Sequence, residues 1–107
     1  KNMNNTIAMK RFEIVIGIEQ LDQLMELLER SEVRGYTAIK NAGGYGSRGA
    51  RNPDDVLMTD ENVVIILACK EDQAQRVLNE LRPAMKELGG MCLISDCQWV
   101  EGPAVSY

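Results

Sequence analysis

Residues Asn62–Cys69 read NVVIILAC, an unbroken apolar run after its first residue. The run is short for a helix and rich in β-branched side chains. It predicts a strand covered on both faces, and so one at the centre of a sheet. Upstream, Phe12–Ile18 reads FEIVIGI. Phe12, Ile14, Ile16 and Ile18 share one face at period two, while Val15 and Gly17 keep the other face small and apolar. Next, Glu19–Ser31 places Leu21, Leu24, Met25 and Leu28 on one helical stripe, with Glu19 and Asp22 at the positive end of the helix dipole. Downstream of the central run, Glu71–Leu88 repeats the stripe with Ala74, Val77, Leu78, Leu81, Met85 and Leu88. Pro83 lacks a backbone donor, which predicts a kink, and Gly89-Gly90 predicts the helix end. Arg34–Ala42 and Met91–Val100 supply the remaining strands. The order βαββαβ predicts an α+β, ferredoxin-like sandwich: one antiparallel sheet with two helices on one face. Two helices cover one face only. The Val63–Cys69 run, with Val15 and Gly17, asks for both to be dry, so the second face is expected to meet another subunit.

The remaining composition narrows the function. A chain of 107 residues is one domain, and its 45% apolar content suits a packed core. Twelve basic residues against 16 acidic ones give a net charge of −4, unsuited to general nucleic-acid or anionic-membrane binding. The polar stretch 1–10 reads as a flexible N-terminal tail, leaving 11–107 as the domain. Cys69, Cys92 and Cys97 form no CxxC pair, and their odd number argues against a disulfide framework. Free thiols, no recognisable secretory leader and no apolar run long enough to span a bilayer predict a cytoplasmic protein. Histidine is absent, which removes the commonest metal ligand and general base.

A glycine-rich segment, 43–61, separates the second and third strands and is long for a compact domain, which points to function or disorder. Gly44, Gly46 and Gly49 have the spacing of a dinucleotide fingerprint, but Pro53-Asp54-Asp55 follows where a helix would have to start. The same glycines could let backbone N–H groups converge on an anion, with Lys40, Arg48 and Arg51 alongside. The alternative is a solvated loop whose arginines pair with Asp54, Asp55, Asp60 or Glu61. Those acids lack the spacing of a calcium loop. Ser47 and Ser95 have no histidine to activate them and Cys97 no partner base, so no enzyme is expected. Trp99 and Tyr107 could stack a base, although a lone strand tryptophan more often serves a core or a subunit interface.

Gly35-Tyr36-Thr37, followed by Gly44-Tyr45-Gly46 at the start of a long loop, resembles the pattern of PII signalling proteins over about residues 11–100. Arg48-Gly49-Ala50 is similar to part of their signalling loop. Two features depart from the nitrogen regulators of that family. The phosphate-holding TGxxGDGK turn is reduced to Glu87-Leu88-Gly89-Gly90-Met91, and Asn52 stands where their loop carries a modifiable tyrosine. The chain looks more like the PII-like branch of inorganic-carbon metabolism, which includes carboxysome-associated members. That resemblance implies a non-enzymatic homotrimer holding ADP or AMP in inter-subunit clefts, with bicarbonate as second ligand. Gly35 and Thr37 would lie beside the nucleotide, Gly44, Tyr45 and Gly46 would approach it at the loop base, and Gly89 and Gly90 would form the phosphate-side turn. Lys40, Ser47, Arg48 and Arg51 are assigned to the anion from their charge and position. A bicarbonate transporter or a carboxysome-associated protein is the implied partner. The alternatives are a structural or metal-handling trimer of the same fold, disfavoured by the missing histidine, and a nitrogen-regulatory PII variant.

Overall fold

The computed structural model describes residues 5–46, 49–51 and 61–101, with 44–46 and 49–51 described by backbone alone. The elements follow the order β1 (Thr6–Gly17), a 3-10 turn (Ile18–Gln20), α1 (Leu21–Arg30), β2 (Thr37–Ala42), β3 (Gly44–Gly46), β4 (Gly49–Arg51), β5 (Asn62–Cys69), α2 (Glu71–Leu88) and β6 (Met91–Val100). The main sheet has strand order β2-β5-β1-β6, with all pairings antiparallel. This is the expected ferredoxin-like α+β sandwich, with the NVVIILAC run at its centre.

The register explains the burial. Cross-strand partners share a face. Phe12↔Leu67, Ile14↔Ile65 and Ile16↔Val63 form the helix-side rows, and all six residues are buried with Leu24, Leu27 and Leu28 of α1 and Val77, Leu81 and Leu88 of α2. The opposite rows are Val15↔Val64↔Ile39 and Glu13↔Ile66↔Thr37, continued into β6 by Val15↔Met91 and Glu13↔Leu93. On this open face Ile39, Leu93 and Met91 are 48%, 51% and 46% exposed. The Asn62–Cys69 run is therefore dry on one side and half-buried on the other within a single subunit. Arg11 donates to Glu13 at 3.0 Å on that largely apolar face, with Thr37 and Ser95 among its polar members.

Several boundaries differ from the sequence expectation. Strand β1 begins at Thr6, inside the stretch read as a tail, because polar cross-strand pairs extend it. Thr6 Oγ1 donates to Gln98 at 2.6 Å, Lys10 Nζ to Asp96, and Met9 is buried. Strand β2 starts at Thr37 rather than Arg34, because the preceding residues terminate α1. Glu32 takes a left-handed φ of 62° and Val33 N–H returns to Leu28 O at 3.0 Å. The 43–61 segment contains a small ribbon, β3 with β4, in register Gly44↔Arg51, Tyr45↔Ala50 and Gly46↔Gly49. Helix α2 runs through Pro83 as one element of 18 residues. Pro83 and Asn79, one turn before it, both lie on the exposed side, where water can take the carbonyl that the ring cannot serve.

Candidate functional site: the two ends of β2

The residues singled out by sequence fall into groups at opposite ends of one edge strand. Gly35, Tyr36 and Thr37 enter β2. The Glu32–Val33 turn that fixes their approach is tied to α2 by Gln73 Nε2, which donates to Glu32 O at 2.7 Å. Together with Ile66, Ala68 and Trp99 they line a concavity of about 520 Å³ on the open face. Arg11, whose guanidinium donates to Glu13, lines the same pocket. This mix of flat and aliphatic walls with a few polar groups is the usual make-up of a small-molecule site. Thr37 lies on the open-face row with Ile66, whereas half-exposed Tyr36, which alternates with it, also lines a groove against α1 with Met25, Leu28 and Val33.

The loop base sits at the other end of the strand. The register shifts by one residue between Ile39↔Val64 and Ala42↔Asn62, with Asn41 at φ 61°. This bulge re-aims the chain as it leaves the sheet, and bulges recur beside functional sites. Lys40, on the bulge, is exposed. Gly44, Tyr45 and Gly46 follow as β3, and Arg51 ends β4. Ser47 and Arg48 lie outside the described residues, as do Asp54, Asp55 and Asp60, the expected carboxylate partners of the arginines. Ile18 N–H donates to Glu61 O at 2.8 Å, pinning the returning chain beside the end of β1. From Thr37 to Ala42, β2 spans roughly 16 Å at the usual strand rise. One ligand touching both motif groups within a subunit would have to lie along the whole edge strand.

Gly89 and Gly90 sit at the loop-base end of the sheet, but on its opposite edge, beside Val15. Each has a local backbone role. Gly89 caps α2 at φ 70°, its N–H reaching Met85 O at 2.8 Å. Gly90 packs so closely that a methyl group there would overlap the Val15 carbonyl oxygen and come within 2.9 Å of Ile16 Cγ2. Those constraints account for both glycines without any ligand.

Arg11 escaped the sequence reading. Its signal was present: Arg11 and Glu13 occupy the alternate positions of a strand whose neighbouring odd positions are apolar. Elsewhere, burial pushes the thiols of Cys69 and Cys92 above their ordinary value of 9.0. The hydrogen bond between Lys10 and Asp96 raises the first and lowers the second. Among the described residues no cluster of three metal-ligating side chains occurs, and no helix is long and apolar enough to cross a membrane.

Residues 9–102 match the family model of nitrogen regulatory protein P-II. The chain belongs to the P-II family. It is 32% identical over 81 residues to the UPF0166 protein MJ1524 of Methanocaldococcus jannaschii, covering 74% of this chain and 73% of that one. Its fold is similar to CPII, a nitrogen regulatory PII-like protein from Thiomonas intermedia K12 solved with ADP, AMP and bicarbonate. There the TM-score is 0.78 at 27% identity, over 90% of this chain and 92% of the other. Arabidopsis thaliana PII bound to citrate shares the fold at a TM-score of 0.56 and 17% identity, over 80% and 71% of the two chains.

Proposed function

We propose that this P-II family chain is a non-enzymatic regulatory sensor. Three copies pack their open sheet faces together and bind ADP or AMP in the clefts between them. Bicarbonate is the second ligand, and the 43–61 loop reports occupancy to a partner. The observation that carries the reading is the separation of the motif along β2. Gly35 and Thr37 open onto the 520 Å³ pocket, whereas the loop base leaves the far end of the same strand. Apposed subunits would bring the pocket of one against the loop base of the next, and the exposed Ile39, Leu93 and Met91 are available to hold them together. The likeness to CPII, solved with ADP, AMP and bicarbonate, supports the choice of ligands. Gly44, Tyr45 and Gly46 would approach the phosphates at the loop base and Gly89 and Gly90 at the α2–β6 turn. Lys40, Ser47, Arg48 and Arg51 would face bicarbonate. A role in carbon fixation or bicarbonate uptake follows, with a bicarbonate transporter or a carboxysome-associated protein reading the loop.

The Glu87–Met91 turn carries no lysine beyond Lys86 and no GDGK sequence, so a third phosphate would lack the charge-assisted donors worth roughly 1.5–3 kcal/mol each. Calorimetry with AMP, ADP and ATP, each with and without bicarbonate, tests the reading. AMP or ADP should bind at least as tightly as ATP, and bicarbonate should tighten the nucleotide. Absence of nucleotide binding, or ATP binding tenfold more tightly than ADP without bicarbonate, would overturn it.

A further inference from the structure

Trp99 is the single tryptophan of the chain. It is half-buried and takes no part in the packed core between the sheet and the helices. The register pairs it with Ile7 and places it on the open face, in the row beyond Met9↔Cys97. There it lines the same concavity as Tyr36 and Thr37, with Ile66 and Ala68 as the aliphatic floor. An indole bordering an apolar floor suits a flat heterocycle better than a chain of phosphates. Charged oxygens would be poorly served here. Arg11, the one cation among the described lining residues, already donates to Glu13 at 3.0 Å, which leaves neutral side-chain donors such as Thr37 and Gln98.

We infer that Trp99 is a ligand-contacting residue that stacks on the nucleotide's base, with the phosphates directed away toward the loop-base end of a neighbouring subunit. This inference rests on the nucleotide-sensor reading above. Stacking on an aromatic side chain is tolerant of ring identity, so Trp99 contributes affinity, while selection of the base falls to polar groups at the ring edge.

The native protein supplies the first test. Saturating ADP should change the emission of the single tryptophan, and AMP should do so to the same extent because both carry the same base. Trp99→Leu should weaken AMP and ADP by the same factor, about 5- to 100-fold, whereas a residue acting on phosphate would alter their ratio. Trp99→Phe keeps a stacking ring and should retain most of the affinity. Light scattering on every variant separates a ligand contact from a merely structural role at a subunit interface. If calorimetry shows that the native protein binds no nucleotide, the sensor reading falls and this inference with it. If nucleotide binds but Trp99 emission stays unchanged, or Trp99→Leu loses assembly while its remaining assembled fraction binds normally, the inference fails and the sensor reading stands.

Discussion

Ile65 and Ile66 are chain neighbours that face opposite sides of β5, and replacing each by aspartate separates folding from assembly. Ile65 is fully buried between Ile14 and Ala38 of the flanking strands and faces the helices. An aspartate there is an unpaired charge in a closed core, a change that costs about 3–5 kcal/mol. Set against the roughly 5–15 kcal/mol available to a domain of this size, Ile65→Asp should remove a large share of the stability and lower the urea midpoint steeply. Ile66 lies in the open-face row between Glu13 and Thr37 and is only half-buried in the subunit. Full burial of an isoleucine contributes about 1.5–3 kcal/mol, so the isolated subunit should lose about half of that and stay folded. In a trimer the same substitution places three carboxylates inside the contact, each directly across from Glu13. Like charges in facing strand positions repel, and desolvating them adds several kcal/mol per site. Ile66→Asp should therefore show a native-like circular dichroism spectrum and the mass of one chain at micromolar concentration, where wild type shows three. Ile66→Val should remain trimeric. A wild-type protein of single-chain mass, or an Ile66→Asp variant that still assembles, would refute the argument from the open face.

Gly90→Ala should cost several kcal/mol in urea unfolding, because its methyl group meets the backbone of Val15, which cannot turn aside as a side chain could. Gly89→Ala should cost about 1 kcal/mol for the left-handed cap alone. The raised thiols of Cys69 and Cys92 keep their protons in the folded state to higher pH than in the unfolded chain. Their contribution is complete below pH 9.0 and is lost as pH rises above it, so the urea midpoint should fall in that window, less steeply in Cys69→Ala and Cys92→Ala. If bicarbonate and nucleotide order one loop, each must tighten the other equally, and Arg48→Ala or Arg51→Ala should remove most of that coupling, about 10- to 100-fold. Full coupling in both variants would return these arginines to a solvated loop.

What was legible from sequence follows from how far each signal reaches along the chain. The core rows of β1 and β5 were readable because period-two alternation and a continuous β-branched run are local, and the cap at Gly89 because its chemistry is written in one residue. The Thr6–Lys10 extension was not readable. Its stabilising partners, Gln98 and Asp96, lie about ninety positions away, and the stretch itself looks merely polar. The start of β2 was misplaced for a related reason: Val33 is apolar because it closes α1 against the core, not because a strand has begun.

The same distinction governs the site. The glycine and arginine pattern of the 43–51 segment announces a special backbone, but it does not say what that backbone faces. The pocket proposed to take the nucleotide is assembled from β1, β2, β5 and β6 by register, and its members Arg11, Ile66, Ala68 and Trp99 share no sequence motif. Each has an ordinary local explanation. Arg11 alternates with core residues, Ile66 and Ala68 belong to an apolar strand, and Trp99 ends one. Antiparallel pairing brings all four to one face, because residues two apart on each strand project together. A one-residue slip of β6 against β1 would turn Trp99 toward the helix side, away from the face that carries Thr37, Ile66 and Ala68. The proposed binding face is thus fixed by the sheet's hydrophobic register, the same feature that leaves Ile39, Leu93 and Met91 exposed. A substitution that shifts that register should disturb ligand affinity and assembly together, and so should Ile66→Asp, whose position serves both the subunit contact and the pocket floor, whereas Trp99→Leu should lower affinity and leave assembly intact.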